Sequence, residues 1–367
     1  CDQPSRREEG RWQVKALITS GGRGTRLRPI THTKNKHLIP VANKPMLHYA
    51  IEAVRDAGVT EIGIVYSADS DEVPRRIGDG SAFGIPITHI AQEAPLGLAH
   101  VVKIAEEFID GDPFIFYLGD NMIVGGVRRF VDEYQRLGSN CHLTLAAVRD
   151  PERFGVPELR DGRIIGIEEK PAEPKSKYAV AGIYLYDQSI FEACHAIAPS
   201  ARGELEISDA HQWLIDHGKT VTYSEITGWW KDTGKPIDLL EANRLVLEHM
   251  PARIDGEIDD NSVVSGNVVI EAGAKVKHSV LRGPCIIGAG TTIEDSFVGP
   301  FTSIADGCSL RGCEIDYSIV LRGCQILDVT PRIEGSLLGD EVELVGVEGR
   351  PRVNRFMLSD QSRVEVA

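Results

Sequence analysis

From residue 14 onward, short apolar runs rich in β-branched residues alternate with stretches in which apolar residues recur every three or four positions. The runs at 14–19, 61–67, 85–91, 114–118, 142–148, 180–186 and 220–226 have the length and composition of strands. Those at 45–57, 98–108, 127–137 and 207–217 have the helical period. This alternation predicts an α/β domain whose mostly parallel sheet is covered by helices on both faces. Ligands of such sheets bind beyond the carboxyl ends of the strands. A last amphipathic stretch at 236–250 sets Leu239, Leu240, Leu245, Val246 and Leu247 among acids and Arg244. Pro251 ends it, and a domain boundary is expected there.

Beyond Pro251 helical patterns thin out and glycines become frequent. Val264, Ile270 and Val276 fall six apart, with Val268, Ala274 and Val280 four places after each. The pattern returns at Ile287 with Thr291, Val298 with Thr302, and Ile304 with Cys308. A large apolar residue followed by a small one at the fifth place is the hexapeptide repeat of a parallel β-helix, whose coils exist to stack. Phase slips near Arg282 and at Phe297 keep an irregular β-sandwich open as the alternative. Cys285, Cys308, Cys313 and Cys324 suit small inward or turn positions of a β-helix. Residues 1–13 are polar and without periodicity, and read as a disordered or expression-derived extension.

Length and charge narrow the possibilities. A chain of 367 residues can bury the cores of two or three domains. A formal net charge of -14 argues against nucleic acid or an anionic membrane as partner. No apolar run reaches the roughly 18 residues of a membrane span, and the start of the chain has no signal-peptide core, so a cytoplasmic location is expected. Seven cysteines without a Cys-x-x-Cys pair read as free thiols in a reducing compartment. No histidine completes a zinc-ligand spacing with the late cysteines.

One basic turn stands out against the acidic background. The run at 14–19 breaks into Gly21-Gly22-Arg23-Gly24-Thr25-Arg26-Leu27-Arg28-Pro29. Without β-carbons the backbone N–H groups can approach an anion closely, and Arg23, Arg26 and Arg28 add fixed positive charge. A di- or triphosphate would suit such a turn. The dinucleotide fingerprint would need glycine where Leu27 stands, and the Gly-Lys-Ser/Thr of a P-loop is missing. On residue types alone, an ordinary turn with solvated arginines is an equal reading. Asp120 follows the run at 114–118, where a carboxylate can hold Mg2+ against phosphate or simply cap a turn.

Further along come Asn35-Lys36-His37-Leu38-Ile39-Pro40 and Lys44-Pro45-Met46. Gly-Gly-x-Gly-Thr-Arg-Leu-x-Pro followed by these two motifs resembles the signature of sugar-1-phosphate nucleotidylyltransferases. The resemblance covers nearly the whole chain after residue 14, and is nearest to the long glucose-1-phosphate thymidylyltransferase group. It implies a Rossmann-like mixed-sheet nucleotidyltransferase domain at 14–250 and a left-handed parallel β-helix at 251–367. It also implies transfer of a nucleotidyl group from a nucleoside triphosphate, dTTP by preference, to a sugar 1-phosphate, glucose 1-phosphate by preference.

Roles follow residue by residue from the matched motifs. Gly21, Gly22, Gly24 and Thr25 would hold the nucleotide, and Arg26 and Lys36 would stabilise the departing pyrophosphate. Gln92 and Gly97, in Gln92-Glu93-Ala94-Pro95-Leu96-Gly97, resemble the segment that reads a pyrimidine edge. Asp120 and Asp232 resemble the Mg2+-binding pair. Gly155, Glu169, Lys170, Gly182 and Trp230 would form the sugar-phosphate pocket, with Lys170 aligning the attacking phosphate. Phe154 stands where the family has tyrosine, Ala181 where threonine is common, and His37 where glutamine is frequent. Glu204 and Asp209 look structural, near the start of the helix at 207–217.

Rival readings are a UTP-dependent or other sugar-1-phosphate enzyme and a catalytically silent regulatory subunit. Retention of Arg26, Lys36, Asp120, Lys170 and Asp232 argues against the silent subunit. An acyltransferase β-helix is a third possibility. His278 is the only histidine after Pro251 and no acceptor-site pattern accompanies it, so the β-helix is read as an assembly element of a homo-oligomer.

Overall fold

The seven apolar runs become one sheet. In the computed structural model, which describes residues 14–22, 24–347 and 354–366, its spatial order is Val221–Glu225, Cys141–Ala147, Tyr178–Tyr186, Phe114–Leu118, Lys15–Thr19, Ile62–Ser67, Ile87–Gln92. The 1–13 extension and Arg23 of the basic turn lie outside the described residues. Six strands point one way, and Tyr178–Tyr186 runs against both of its neighbours. The sheet is therefore mixed. Thr19 pairs with both Leu118 and Val65, and Ser67 with Gln92, so four parallel strands end nearly level.

Over one face lie Leu98–Ile104, Ser189–Ala196 and Ile207–Asp216. They close on an aromatic core in which Phe114 stacks on Phe191 at 5.7 Å and touches Tyr186 at 5.5 Å. The helix expected at 98–108 is two pieces, because Ala105 leaves the helical path before Glu106–Ile109 begins. Ser189–Ala196 escapes the periodicity because it is short, yet its start is well marked: the Asp187 carboxylate accepts from the Ser189 N–H at 2.8 Å.

The chain divides into two compact units. The first holds the sheet and Leu47–Asp232, and the second holds Gly24–Met46 with Thr233–Ala367. In the second unit three parallel sheets of six, six and five short strands form the left-handed β-helix. Inward positions run Val264, Ile270, Val276, Leu281, Ile287, Ile293, Val298, Ile304, Leu310 and Ile315, in steps of six, six and five. The five-residue step makes a 17-residue coil and accounts for the phase slips. Small residues stack at the same interval: the N–H of Ser279 donates to Ser262 Oγ, that of Ser296 to Ser279 Oγ, and that of Cys313 to Ser296 Oγ. The six cysteines among the described residues are buried as free thiols. Among the described residues no helix is long and apolar enough to cross a membrane.

Candidate active site

In the first unit the level strand ends gather several of the residues singled out above. Asp120 follows Phe114–Leu118, and the chain then pairs Asn121–Ile123 antiparallel with Trp230–Asp232. Asp232 lies opposite Asn121, one residue from Asp120. Asn121 ties this corner together. Its Nδ2 donates to Asp120 at 3.0 Å, its Oδ1 accepts from Trp230 Nε1 at 2.8 Å, and its backbone carbonyl accepts from the Tyr117 hydroxyl at 3.0 Å.

Trp230 meets the Phe154 ring edge-on at 5.6 Å. Phe154 opens the hairpin of Gly155–Arg160 and Arg163–Glu169, which turns at Asp161-Gly162 and sets Gly155 opposite Glu169. A β-carbon on Gly155 would lie 2.5 Å from Ser208 Oγ and 3.5 Å from Glu169 Oε2, so a larger residue would have to displace Ser208. Three donors hold the Glu169 carboxylate: Ser208 Oγ at 2.7 Å, Lys170 Nζ at 2.9 Å and the Arg202 guanidinium at 3.4 Å. Lys170 itself has a positive φ, with its N–H bonded to the Phe154 carbonyl at 2.9 Å. Gly182 lies against the side chain of Leu118.

Gln92 is buried at the end of its strand, its Nε2 donating to His100 Nδ1 at 3.1 Å. Burial first and Lys103 second hold His100 below its ordinary pKa, in keeping with an accepting nitrogen. The Gln92 Oε1 faces Gly21, close enough that a β-carbon there would touch it at 3.4 Å. Gly97 has φ 101°, and a β-carbon would lie 2.4 Å from the Leu205 carbonyl. That close approach lets the N–H of Leu205 reach the Leu96 carbonyl at 2.8 Å. Gly22, also with a positive φ, is exposed.

In the second unit Gly24 leads into the single turn Thr25–Leu27, which leaves Thr25 and Arg26 exposed and Leu27 buried. Thr31 Oγ1 donates to the Gly24 carbonyl at 2.8 Å. Lys36 opens the next turn, Lys36–Leu38, with Asn35 as its cap. His37 is buried, and both its N–H and its Nδ1 sit 2.9 Å from Asn35 Oδ1. This histidine thus serves its own turn.

The nucleotidyl transferase family pattern matches residues 15–249, and the GlmU-like C-terminal hexapeptide pattern matches 252–330. The chain belongs to the nucleotidyl transferase family. It is 50% identical to a glucose-1-phosphate thymidylyltransferase of Streptomyces griseus, over 96% of this chain and all of that one. It is 34% identical to the bifunctional protein GlmU of Methanococcus maripaludis, over 92% of this chain and 84% of that one. Among solved structures, a putative glucose-1-phosphate thymidylyltransferase from Bacillus anthracis has a TM-score of 0.60 and 41% identity. That likeness covers 63% of this chain and 94% of the other.

For a nucleotidyl transferase the residues that motif reading passes over are Asn121, Ser208 and Arg202. Asn121 has a local signal, an Asp-Asn pair at a strand end. Ser208 and Arg202 lie in the matching stretch Arg202-Gly203-Glu204-Leu205-Glu206-Ile207-Ser208-Asp209, but nothing local ties them to Glu169, which they reach across 39 and 33 residues of chain. Glu204 lies in the loop before Ile207–Asp216, where Glu206 is the capping residue. Asp209 is raised above its ordinary carboxylate pKa, by burial first and then by Glu206 and Glu169. The buried Tyr184 hydroxyl is raised chiefly by desolvation, with Glu169, Asp120 and Asp232 adding to it. One tyrosine thus feels all three carboxylates.

Proposed function

We propose that this nucleotidyltransferase joins dTTP and glucose 1-phosphate into a nucleotide sugar, releasing pyrophosphate. The observation that carries the reading is the Asp120–Asn121–Trp230–Asp232 corner beside Phe154 and Glu169 at the strand ends. The two relatives at 50% and 49% identity, both named glucose-1-phosphate thymidylyltransferase, favour these substrates over a UTP-dependent or silent alternative. A phosphate oxygen of the sugar phosphate forms a bond to the α-phosphorus as the bond to the β-phosphate oxygen breaks. The attacker is already an anion, so no general base is needed, and catalysis rests on alignment and charge neutralisation.

Gly21, Gly22, Gly24 and Thr25 offer N–H and hydroxyl donors to the triphosphate, while Arg26 and Lys36 take up charge on the leaving pyrophosphate. Gln92 and Gly97 read the thymine edge. Gly155, Glu169, Gly182 and Trp230 seat the sugar, and Lys170, held beside Glu169, aligns its phosphate. Two carboxylates, with no third acid, histidine or cysteine grouped with them among the described residues, suit Mg2+ rather than an all-protein cage. Bound at Asp120 and Asp232, the ion would neutralise phosphate charge. The same proposal divides the chain at residue 250, makes the β-helix an assembly element of a homo-oligomer, and locates the enzyme in the cytoplasm.

The test is pyrophosphate release by the full chain with Mg2+, four triphosphates and several sugar 1-phosphates. The dTTP and glucose 1-phosphate pair should give the highest kcat/KM. Release of no pyrophosphate from any pair would overturn the reading.

A further inference from the structure

In most coils of the β-helix an inward apolar residue is flanked by polar ones, as in Lys275-Val276-Lys277, Ser309-Leu310-Arg311 and Glu314-Ile315-Asp316. One sheet breaks that alternation. Val268–Ile270 and Cys285–Ile287 are apolar at every position and buried at every position. Their outward residues Val269 and Ile286 pack with Leu247 and with Ala42, which belongs to the Gly24–Met46 segment. Two consecutive coils have therefore given up a polar exterior to receive this segment together with the end of the helix Pro236–Glu248.

The contact is a built one. Pro40–Val41 and Lys44–Pro45 pair as a hairpin whose two turn residues, Ala42 and Asn43, have φ 47° and 60°. Both central residues of such a turn must be left-handed, which disfavours alanine. Neighbours hold it there. The Ala42 N–H donates to the buried Asn243 Oδ1 at 2.8 Å, and Asn243 Nδ2 donates to the Phe301 carbonyl at 3.0 Å. Asn43 Nδ2 donates to the Ile304 carbonyl at 2.8 Å. Farther along the segment Lys34 Nζ pairs with Asp340 at 2.6 Å, and His32 Nε2 donates to the Asp360 carbonyl at 3.3 Å.

We infer that this face of the β-helix sets the position of the strap bearing Arg26 and Lys36, with Asn43, Asn243 and the Lys34–Asp340 pair as positioning groups for the triphosphate. The inference rests on the role given above to Arg26 and Lys36. It adds that the β-helix acts on nucleotide affinity through this strap, in addition to any part in assembly. Strain held in a turn by surrounding contacts is a common way of fixing a functional segment.

Five variants of the whole chain test it by steady-state kinetics and by hydrogen exchange of the 24–46 amides. Asn43→Gly keeps the turn and loses only the side-chain bond. It should raise KM for dTTP about fivefold, with KM for glucose 1-phosphate within about twofold of the parent and faster exchange in the strap. Asp340→Lys and Lys34→Glu should each raise KM for dTTP about threefold, and the double exchange should restore it. Parent-like KM and exchange in Asn43→Gly, or no recovery in the double exchange, would overturn the inference. Lys36→Ala separates the two levels. If it keeps parent activity, the catalytic role of the strap is wrong, whereas a crippled Lys36→Ala beside parent-like Asn43→Gly and Asp340→Lys removes the β-helix's part alone.

Discussion

The sheet and the coils of the β-helix hold their residues in place by opposite means. In the sheet unit each group has a partner used once: Asn121 joins Asp120 to Trp230, and Ser208 props Glu169. In the β-helix the same contact recurs every coil, as in the Ser262, Ser279, Ser296 and Cys313 ladder. Unique contacts build a site but fail singly, whereas repeated contacts share a loss among neighbours. Chemistry is accordingly expected where the contacts are unique.

The sharpest way to break the comparison is at the carboxylates. Asp120→Ala or Asp232→Ala should lower kcat/KM by about a thousandfold, and Arg26→Ala by about a hundredfold, if these groups meet transition-state charge. Pyrophosphate release measures both. A variant near parent activity would remove that residue from the account.

Next come the cores. Phe114→Ala, which loses two ring contacts in the sheet unit, should cost about 3–5 kcal/mol and abolish activity near the new unfolding temperature. Ile293→Ala in the middle of the β-helix should cost about 2–4 kcal/mol and leave KM for glucose 1-phosphate unchanged below that temperature. Thermal unfolding with paired kinetics distinguishes the two.

Acid should also act on the sheet unit first. Burial pushes His142 down to about 4 and His211 down to about 3, against an ordinary value of 6.5. Both bind a proton more readily when unfolded. Their contribution is complete above pH 6.5 and is lost as pH falls toward the folded values, by about 2 kcal/mol each at pH 5. His142 accepts or donates at both nitrogens to Thr222 and Ser224, so His142→Asn should flatten the fall in unfolding temperature between pH 7 and 5 even if it lowers the plateau. An unchanged slope would contradict the assignment. The smallest effect belongs to the ladder: Ser296→Ala should cost about 1 kcal/mol in a denaturant titration, with kcat unaltered.

Much of this was readable from sequence because it is local. The seven strands announce themselves by composition, and the glycine turn and Asp120 are placed by the strands that precede them. The coil length of 17 was visible only as a slip, since a five-residue step leaves no motif of its own. Partners such as Trp230 and Asn121, 109 residues apart, meet through sheet topology, and no spacing rule foretells them. The reversed strand Tyr178–Tyr186 is likewise a property of the assembled sheet.

A crystal structure of the full chain with dTTP and Mg2+ tests the central claim most directly. The account predicts phosphate oxygens against the N–H groups of Gly21, Gly22 and Gly24, with the ion on Asp120 and Asp232. A triphosphate bound elsewhere, or an ion away from both carboxylates, would contradict it.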